Sequence, residues 1–199
     1  MKKSLVLPVL MLFIPNILFS QSNSIDWQLQ FLRERNNESM EINRTIRMQT
    51  GEGFKLILMA DENCYCYVII YDSDQEIYVW YNQPLKKDTG TYLQPLNLVE
   101  PSGFETIYVI ISHARQTELE RLINLHRINS SRQNTNNVYR EILRLQNSAS
   151  NLGEPATAII PSGGSTRGVD DAEEFEDVEG FATKFTGKNL YFRAIGVRH

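Results

Sequence analysis

The residues of this chain that are best suited to chemistry include two cysteines, Cys64 and Cys66, which are the only ones present. On a strand, alternate residues point to the same face about 7 Å apart, whereas the Cβ atoms of a disulfide lie roughly 4 Å apart. A disulfide would therefore need a local kink, and Cys-x-Cys without a nearby histidine is a weak metal signal. The spacing predicts two reduced, half-buried side chains that pack as small hydrophobic residues.

Closely spaced carboxylates form a second candidate. Asp72, Asp74 and Glu76 alternate along the chain, as do the carboxylates of some weak extracellular calcium sites. The internal glycine and the distal glutamate of a full calcium loop are missing. Because Asp and Ser are also typical of tight turns, the segment is predicted to be a solvated hairpin turn.

The histidines and the glycine-rich segment give no recognisable catalytic or metal motif. His113, His126 and His199 are scattered, and no glycine pattern of a nucleophile elbow surrounds a serine. The run Pro161 to Gly168 lacks the Gly-Lys-Ser or Gly-Lys-Thr ending of a phosphate loop, so it is interpreted as a connector. We therefore expect no catalytic residue, no metal and no cofactor.

Two clusters of side chains are better suited to binding. Seven carboxylates fall between Asp170 and Glu179. Such a run is usually solvated, but its aromatic residues could also insert into a basic partner while the acids steer the encounter. Aromatic residues are also dense on the predicted strands, and they are enriched both in cores and at interface hot spots. The binding residues predicted from the two clusters are Tyr78, Trp80, Tyr81, Phe175 and Phe181.

Composition excludes several classes of protein. The chain has 199 residues, of which 42% are hydrophobic and 22% are charged, so collagen-like, wholly disordered and multi-span membrane proteins do not fit. The formal charge is −4, or −6 without Lys2 and Lys3, which lie in a segment that we expect to be removed. Seven acids lie in the acidic tract, residues 170–179, and the rest of the chain is near neutral. Nucleic-acid binding is not expected, because phosphates call for clustered Lys and Arg.

The first twenty residues have the layout of a secretory signal. Lys2 and Lys3 precede an apolar run, and small Ser20 offers a cleavage position. Pro8 and Pro15 interrupt the run, which is shorter than the roughly 20 apolar residues of a spanning helix. We expect a cleaved signal and a periplasmic or secreted protein without a membrane span; an uncleaved anchor is the alternative.

The periodicity predicts a mainly β (α+β overall) fold, an antiparallel sheet with two inserted helices. Short turns such as Asp72 to Gln75 join antiparallel neighbours, because parallel strands need long crossovers. The predicted strands are 40–48, 54–60, 65–71, 77–81 and 106–112, with 156–160 as an edge strand. A helix from Thr117 with a Thr117/Glu120 capping box buries Leu119, Leu122, Ile123 and His126. After a polar linker, 129–137, a second helix is predicted over 138–146.

These elements divide the chain into six parts. The segment 25–33 is interpreted as either a short helix or an arm packed by Trp27 and Phe31. The chain ends in two apolar strands around a Thr-Gly-Lys-Asn turn. The parts are 1–20 signal peptide, 21–39 N-terminal arm, 40–116 β-rich core, 117–148 helical pair, 149–180 loop and acidic tract, and 181–199 C-terminal hairpin.

Four segments between Thr50 and Ser112 resemble the bacterial family known as domain of unknown function 4384. They are Gly51-Glu52-Gly53-Phe54-Lys55-Leu56, Cys66 to Asp74, Ile77 to Asn82 and Glu105 to Ser112; the closing run Phe185 to Arg193 is similar to the end of some exported members. Glu52 and Gln75 depart from the family's usual Asp and Gly. The resemblance implies an antiparallel β-sandwich-like module of exported bacterial proteins, with no catalytic residues assigned.

From these observations we expect a non-enzymatic, exported binding or scaffold module for a protein partner in the cell envelope. The aromatic sheet face around Tyr78 and Trp80 would form its surface, supported by the acidic tract. The alternative is a glycan-binding protein, since aromatic rings stack on sugars, or a small hydrolase that uses carboxylates such as Asp72, Asp74 or Glu105.

Overall fold

A computed structural model describes residues 24–42, 45–160 and 180–199. The described chain is mainly β with two helices, which confirms the predicted fold class. In chain order, the elements are β1 (Ser24–Arg33), β2 (Ser39–Met40), β3 (Ile46–Arg47), β4 (Gly53–Ala60), β5 (Cys64–Tyr71), β6 (Ile77–Leu85), β7 (Thr91–Tyr92), β8 (Leu96–Asn97), β9 (Phe104–Ser112), α1 (Thr117–Ile128), α2 (Arg132–Ser148), β10 (Asn151–Ile160), β11 (Gly180–Lys188) and β12 (Leu190–Arg198).

The strands follow the order β6-β5-β9-β12-β11-β1-β4-β7. The path folds back on itself between β12 and β11, which pair in the described ladder only through Lys188 and Leu190. As a result, distant strands of the path lie face to face: Phe54 of β4 contacts Trp80 of β6, with ring centroids 5.4 Å apart. The architecture is therefore a two-layer sandwich, with β6, β5, β9 and β12 in one layer and β11, β1 and β4 in the other.

The main core lies between the two layers. Strand β4 alternates strictly between half-buried and buried residues, as expected for a strand with one face inward. Trp27 of β1 stacks on Phe185 of β11 at 4.4 Å and meets Tyr191 of β12 edge-on at 5.1 Å. This aromatic group fills the corner where the chain passes from one layer to the other.

A second core joins the helices to the outer face of β5, β9 and β12. The buried residues of α1 are Leu119, Leu122, Ile123 and His126, which confirms the predicted stripe. They pack with Val138, Ile142 and Leu145 of α2 against strand residues that include Tyr67 and Ile110. Consecutive residues of β5 and β9 therefore serve different cores, which explains the continuous apolar runs 66–70 and 107–111.

The N-terminal segment is a strand, so the helical interpretation of 25–33 was wrong. Strand β1 lies between β11 and β4, with Trp27 paired to both Phe185 and Ala60. The predicted strand 40–48 is interrupted: of its described residues and their neighbours, Ser39–Met40 and Ile46–Arg47 pair as strands, whereas 41–42 and 48 do not. Ile42, Ile46 and Met48 are nevertheless buried, so the predicted inward face of this segment is correct for these residues.

The helix boundaries differ from the predicted ones. Residue Gln116 is the N-cap of α1 and no side chain caps it, so the Thr117/Glu120 capping box was wrong. The predicted linker 129–137 is mostly helical, because α2 already begins at Arg132, where the Ser131 side chain accepts a hydrogen bond from the Asn134 N–H.

The C-terminal part contains three strands. Strand β10 pairs with β11, which confirms an edge strand over 156–160 and extends it to Asn151. The two closing strands are confirmed as β11 and β12. They pair with each other only through Lys188 and Leu190 in the described ladder, because β12 pairs along its length with β9 and β11 pairs with β1.

Candidate functional site

The predicted aromatic face is divided by a β-bulge in β6. Val68 pairs with Tyr81 and Ile69 pairs with Val79, so Trp80 is the extra residue. The Trp80 ring packs edge-on against Phe54, and its Nε1–H donates a 3.0 Å hydrogen bond to the Gln94 carbonyl. Trp80 is therefore held by the core and by the loop before β8.

The remaining predicted binding residues have different environments. Tyr78 is 54% exposed, whereas Tyr81 is half-buried against the main core and its hydroxyl donates to the Pro84 carbonyl at 3.3 Å. Phe181 lies on β11, where its backbone pairs with Ile159. Phe175 and the acidic tract lie outside the described residues. Of the three β6 aromatics, Tyr78 presents the most surface to a partner.

Tyr78 follows the acidic turn between β5 and β6. The Asp72 carboxylate accepts hydrogen bonds from the N–H groups of Asp74 (3.0 Å) and Glu76 (2.8 Å), which confirms the predicted hairpin turn. Asp74 and Glu76 are exposed. We call Asp72, Asp74, Glu76 and Tyr78 together the Tyr78 surface.

A partly buried polar cluster joins neighbouring segments of the chain. His199 Nδ1 lies 3.2 Å from Thr50 Oγ1, and His199 Nε2 lies 3.3 Å from Glu105 Oε1. Thr50 Oγ1 in turn lies 3.0 Å from Ser102 Oγ. This cluster brings together the segment before β4, the start of β9 and the end of β12, although Glu105 and His199 are far apart in sequence.

The cluster contains the groups of a hydrolytic relay, a hydroxyl, an imidazole and a carboxylate, but its accessibility does not suit catalysis. The His199 side chain is 0% exposed and that of Glu105 is 13% exposed. A substrate would have to reach the imidazole for proton transfer. The arrangement is therefore better suited to joining distant segments of the chain than to proton transfer.

Glu105 should give the protein a specific pH dependence. Burial raises the pKa of Glu105 above its ordinary value of 4.5; His199 opposes the rise and Asp72 adds to it. Ionising Glu105 thus costs the folded state more than the unfolded state, and this cost appears as the pH rises through the raised pKa. The free energy of unfolding of Glu105→Gln, relative to wild type, should increase between about pH 4 and pH 7, as measured by urea titration.

Glu118→Gln is the matched control for this prediction. In the wild type, hydrogen bonds from Arg121 lower the pKa of Glu118, so the ionised carboxylate favours the folded state. The free energy of unfolding of this control, relative to wild type, should therefore change with pH in the opposite direction. Because Glu118 is exposed, that change should be small. A Glu105→Gln difference that stays constant with pH would contradict the predicted cause.

The ends of the helices lie beside the Tyr78 surface. The buried His126 Nε2 lies 3.2 Å from the carbonyl oxygen of Ile77, at the start of β6. Tyr71 at the end of β5 stacks on Tyr139 of α2 with ring centroids 4.7 Å apart. The α1–α2 connection carries an 84% exposed Ile128, with exposed Arg127 and Arg132 on either side. We call Arg127, Ile128 and Arg132 the helical rim.

Strand β6 is the edge of its layer, yet it is poorly suited to pairing with another chain. The bulge at Trp80 interrupts its ladder, Pro84 lacks an N–H, and His126 lies within hydrogen-bonding distance of the Ile77 carbonyl. Binding here is expected to involve side chains rather than an added strand.

Both cysteines lie in the main core. Cys64 and Cys66 are free, in agreement with the predicted reduced pair, but the prediction that they are half-buried was wrong, because both are buried in this core. Burial raises the pKa of Cys64 to about 12 and that of Cys66 as well, so both remain thiols. Among the described residues, no group of three or more His, Cys, Asp or Glu is placed to bind a metal ion.

Sequence reasoning missed the helical rim and the His199 cluster. Ile128 was detectable as an apolar residue outside the α1 stripe, whereas the cluster depends on contacts between distant segments. Neither helix in the described part of the chain is long and apolar enough to cross a membrane. Comparison with protein-family models, curated proteins and solved structures finds no match, so the resemblance to domain of unknown function 4384 stays a prediction.

Proposed function

We propose that this protein is an exported, non-enzymatic module that binds a protein partner in the bacterial cell envelope through the Tyr78 surface. The observation that carries this proposal is the 54% exposure of Tyr78 next to an acidic turn, while the neighbouring Trp80 and Tyr81 are used in packing. An exposed tyrosine offers a large apolar ring with a polar end, a combination enriched at interface hot spots.

The charge of the surrounding segment indicates the kind of partner. Residues 61–116 contain eight carboxylates and three Lys or Arg side chains, a formal charge of −5. Complementary potentials accelerate the encounter of two proteins and disfavour partners of the wrong sign. A partner that offers Arg or Lys beside an apolar side chain fits this surface. The signal predicted over residues 1–20 supports the export part of the proposal.

Photo-crosslinking in the native cell envelope tests the proposal. A photoreactive phenylalanine derivative placed at position 78 should yield one defined crosslinked protein. With that protein purified, Tyr78→Ala should weaken binding at least tenfold, about 1.4 kcal/mol, because truncation of a hot-spot aromatic typically costs more than this.

Tyr92 provides the matched control, since it is 50% exposed but lies on β7 of the other layer. The same derivative at position 92 should not crosslink that protein, and Tyr92→Ala should bind it as wild type does. Retention on envelope glycans without any crosslinked protein would contradict the proposal and favour the glycan-binding alternative.

A further inference from the structure

The Tyr78 surface and the helical rim form one continuous patch with two halves. Two contacts join the elements that carry them: His126 of α1 lies 3.2 Å from the Ile77 carbonyl, next to Tyr78, and Tyr71 stacks on Tyr139 of α2 with ring centroids 4.7 Å apart. The patch therefore runs across the end of one layer and onto the helices.

The two halves carry opposite charge, and each has one exposed apolar side chain. Asp74, Glu76 and Tyr78 form the acidic half, and Arg127, Ile128 and Arg132 form the basic half. Among the described residues, no ion pair links an acid of the first half to an arginine of the second. Both halves are therefore available to a partner.

This pattern of charge selects among possible occupants. A uniformly basic surface that covers the patch would be repelled by the helical rim, and a uniformly acidic one would be repelled by the turn. The best partner has a basic half with an exposed aliphatic side chain next to an acidic half with an aromatic ring. A second copy of this chain, turned by a two-fold rotation, provides that arrangement.

We propose that the partner of the Tyr78 surface is a second copy of this chain, in a two-fold symmetric dimer. Asp74 and Glu76 of each copy face Arg127 and Arg132 of the other, and Tyr78 packs against Ile128 across the interface. Because the same surface is involved, this inference rests on the proposed function and specifies its partner.

Reversing the charge of one half at a time tests the dimer. Each reversal alone makes the facing halves repel each other, and mixing the two variants should restore the attraction. Asp74→Lys with Glu76→Lys makes both halves basic, and Arg127→Glu with Arg132→Glu makes both halves acidic. Each variant alone should be monomeric in analytical ultracentrifugation at concentrations where the wild type is dimeric. An equimolar mixture of the two should form a heterodimer, because both contacts between the halves are then attractive.

A double reversal elsewhere is the control. Lys86 and Lys87 are exposed and directly follow β6. Lys87 forms an isolated β-bridge with Ala60, so both lysines lie at the opposite end of β6 from Tyr78. Lys86→Glu with Lys87→Glu should leave the dimer unchanged, whereas Ile128→Ser should weaken it about tenfold, a loss of about 1.4 kcal/mol. Circular dichroism on each variant verifies that it is folded.

The outcomes separate this inference from the proposed function. A wild-type protein that sediments as a monomer up to about 100 μM would overturn the dimer, because this concentration lies well above the dissociation constants of standard-size interfaces. Two reversed variants that fail to associate when mixed would also overturn it. If position 78 then crosslinks a different protein, the proposed function still holds; if position 78 crosslinks no protein, both fall.

Discussion

Replacing Trp27 with alanine is expected to lower the free energy of unfolding by about 3–5 kcal/mol, the largest loss that we expect from a single substitution in this fold. The Trp27 side chain is 0% exposed, stacks on Phe185 and meets Tyr191 edge-on. These two partners flank the single rung between β11 and β12. The cavity would therefore open where the layers have the fewest backbone hydrogen bonds to hold them together.

Urea unfolding followed by circular dichroism measures this loss, and Trp80→Ala is the comparison. Trp80 is half-buried at the edge of the same core and touches one aromatic ring, that of Phe54. Its removal should cost about 1–2 kcal/mol. The chain has two tryptophans, so the fluorescence of each variant reports on the one that remains. Equal losses in the two variants would contradict the assigned role of Trp27.

Strands β4, β5 and β9 are predicted from the sequence, whereas the segment that forms β1 is interpreted there as either a helix or an arm. Strand β4 alternates with a period of two, which predicts a strand directly. In β1, Phe31 and Leu32 are both buried, on opposite faces. The sequence nevertheless alternates between apolar and polar residues from Ile25 to Phe31, which is the period of a strand. The four-residue spacing of Trp27 and Phe31 fits a helix as well, and this second pattern makes the segment ambiguous.

The candidate surface could be predicted only in part, because its boundaries depend on tertiary contacts. Regular alternation places Tyr78 and Trp80 on one face of β6, but the bulge adds a residue to this strand and brings Trp80 against Phe54. Nothing local in the sequence marks that extra residue. The helical rim lies beside Tyr78 only because α1 packs across the start of β6, through His126.

The polar residues between the sheet and α1 explain why the predicted capping box is absent. Glu120 does not reach back to the helix start; it accepts a hydrogen bond from the Tyr67 hydroxyl at 2.9 Å and one from Arg115 Nε at 2.7 Å. The Tyr67 oxygen in turn accepts the backbone N–H of Gln116 at 2.9 Å. The Tyr67 hydroxyl thus accepts a hydrogen bond from the backbone N–H of Gln116, a donor at the helix N-terminus that a capping side chain would otherwise bind.

Tyr67→Phe is therefore expected to cost about 1–3 kcal/mol, because it removes both hydrogen bonds and leaves a partly buried N–H and carboxylate without this partner. Burial raises the pKa of Tyr67, which keeps the phenol protonated and able to donate to Glu120. The loss should be concentrated at the start of α1. Amide hydrogen exchange of residues 117–121 should accelerate more than that of β9.

Tyr65→Phe is the matched control, since Tyr65 is a half-buried phenol that packs against the same core from the same face of β5. Its substitution should change the free energy of unfolding by less than about 0.5 kcal/mol and leave exchange in α1 unaltered. If Tyr67→Phe and Tyr65→Phe accelerate exchange equally, the hydroxyl of Tyr67 does not hold α1. The helical rim would then depend on apolar packing and His126 alone for its position beside Tyr78.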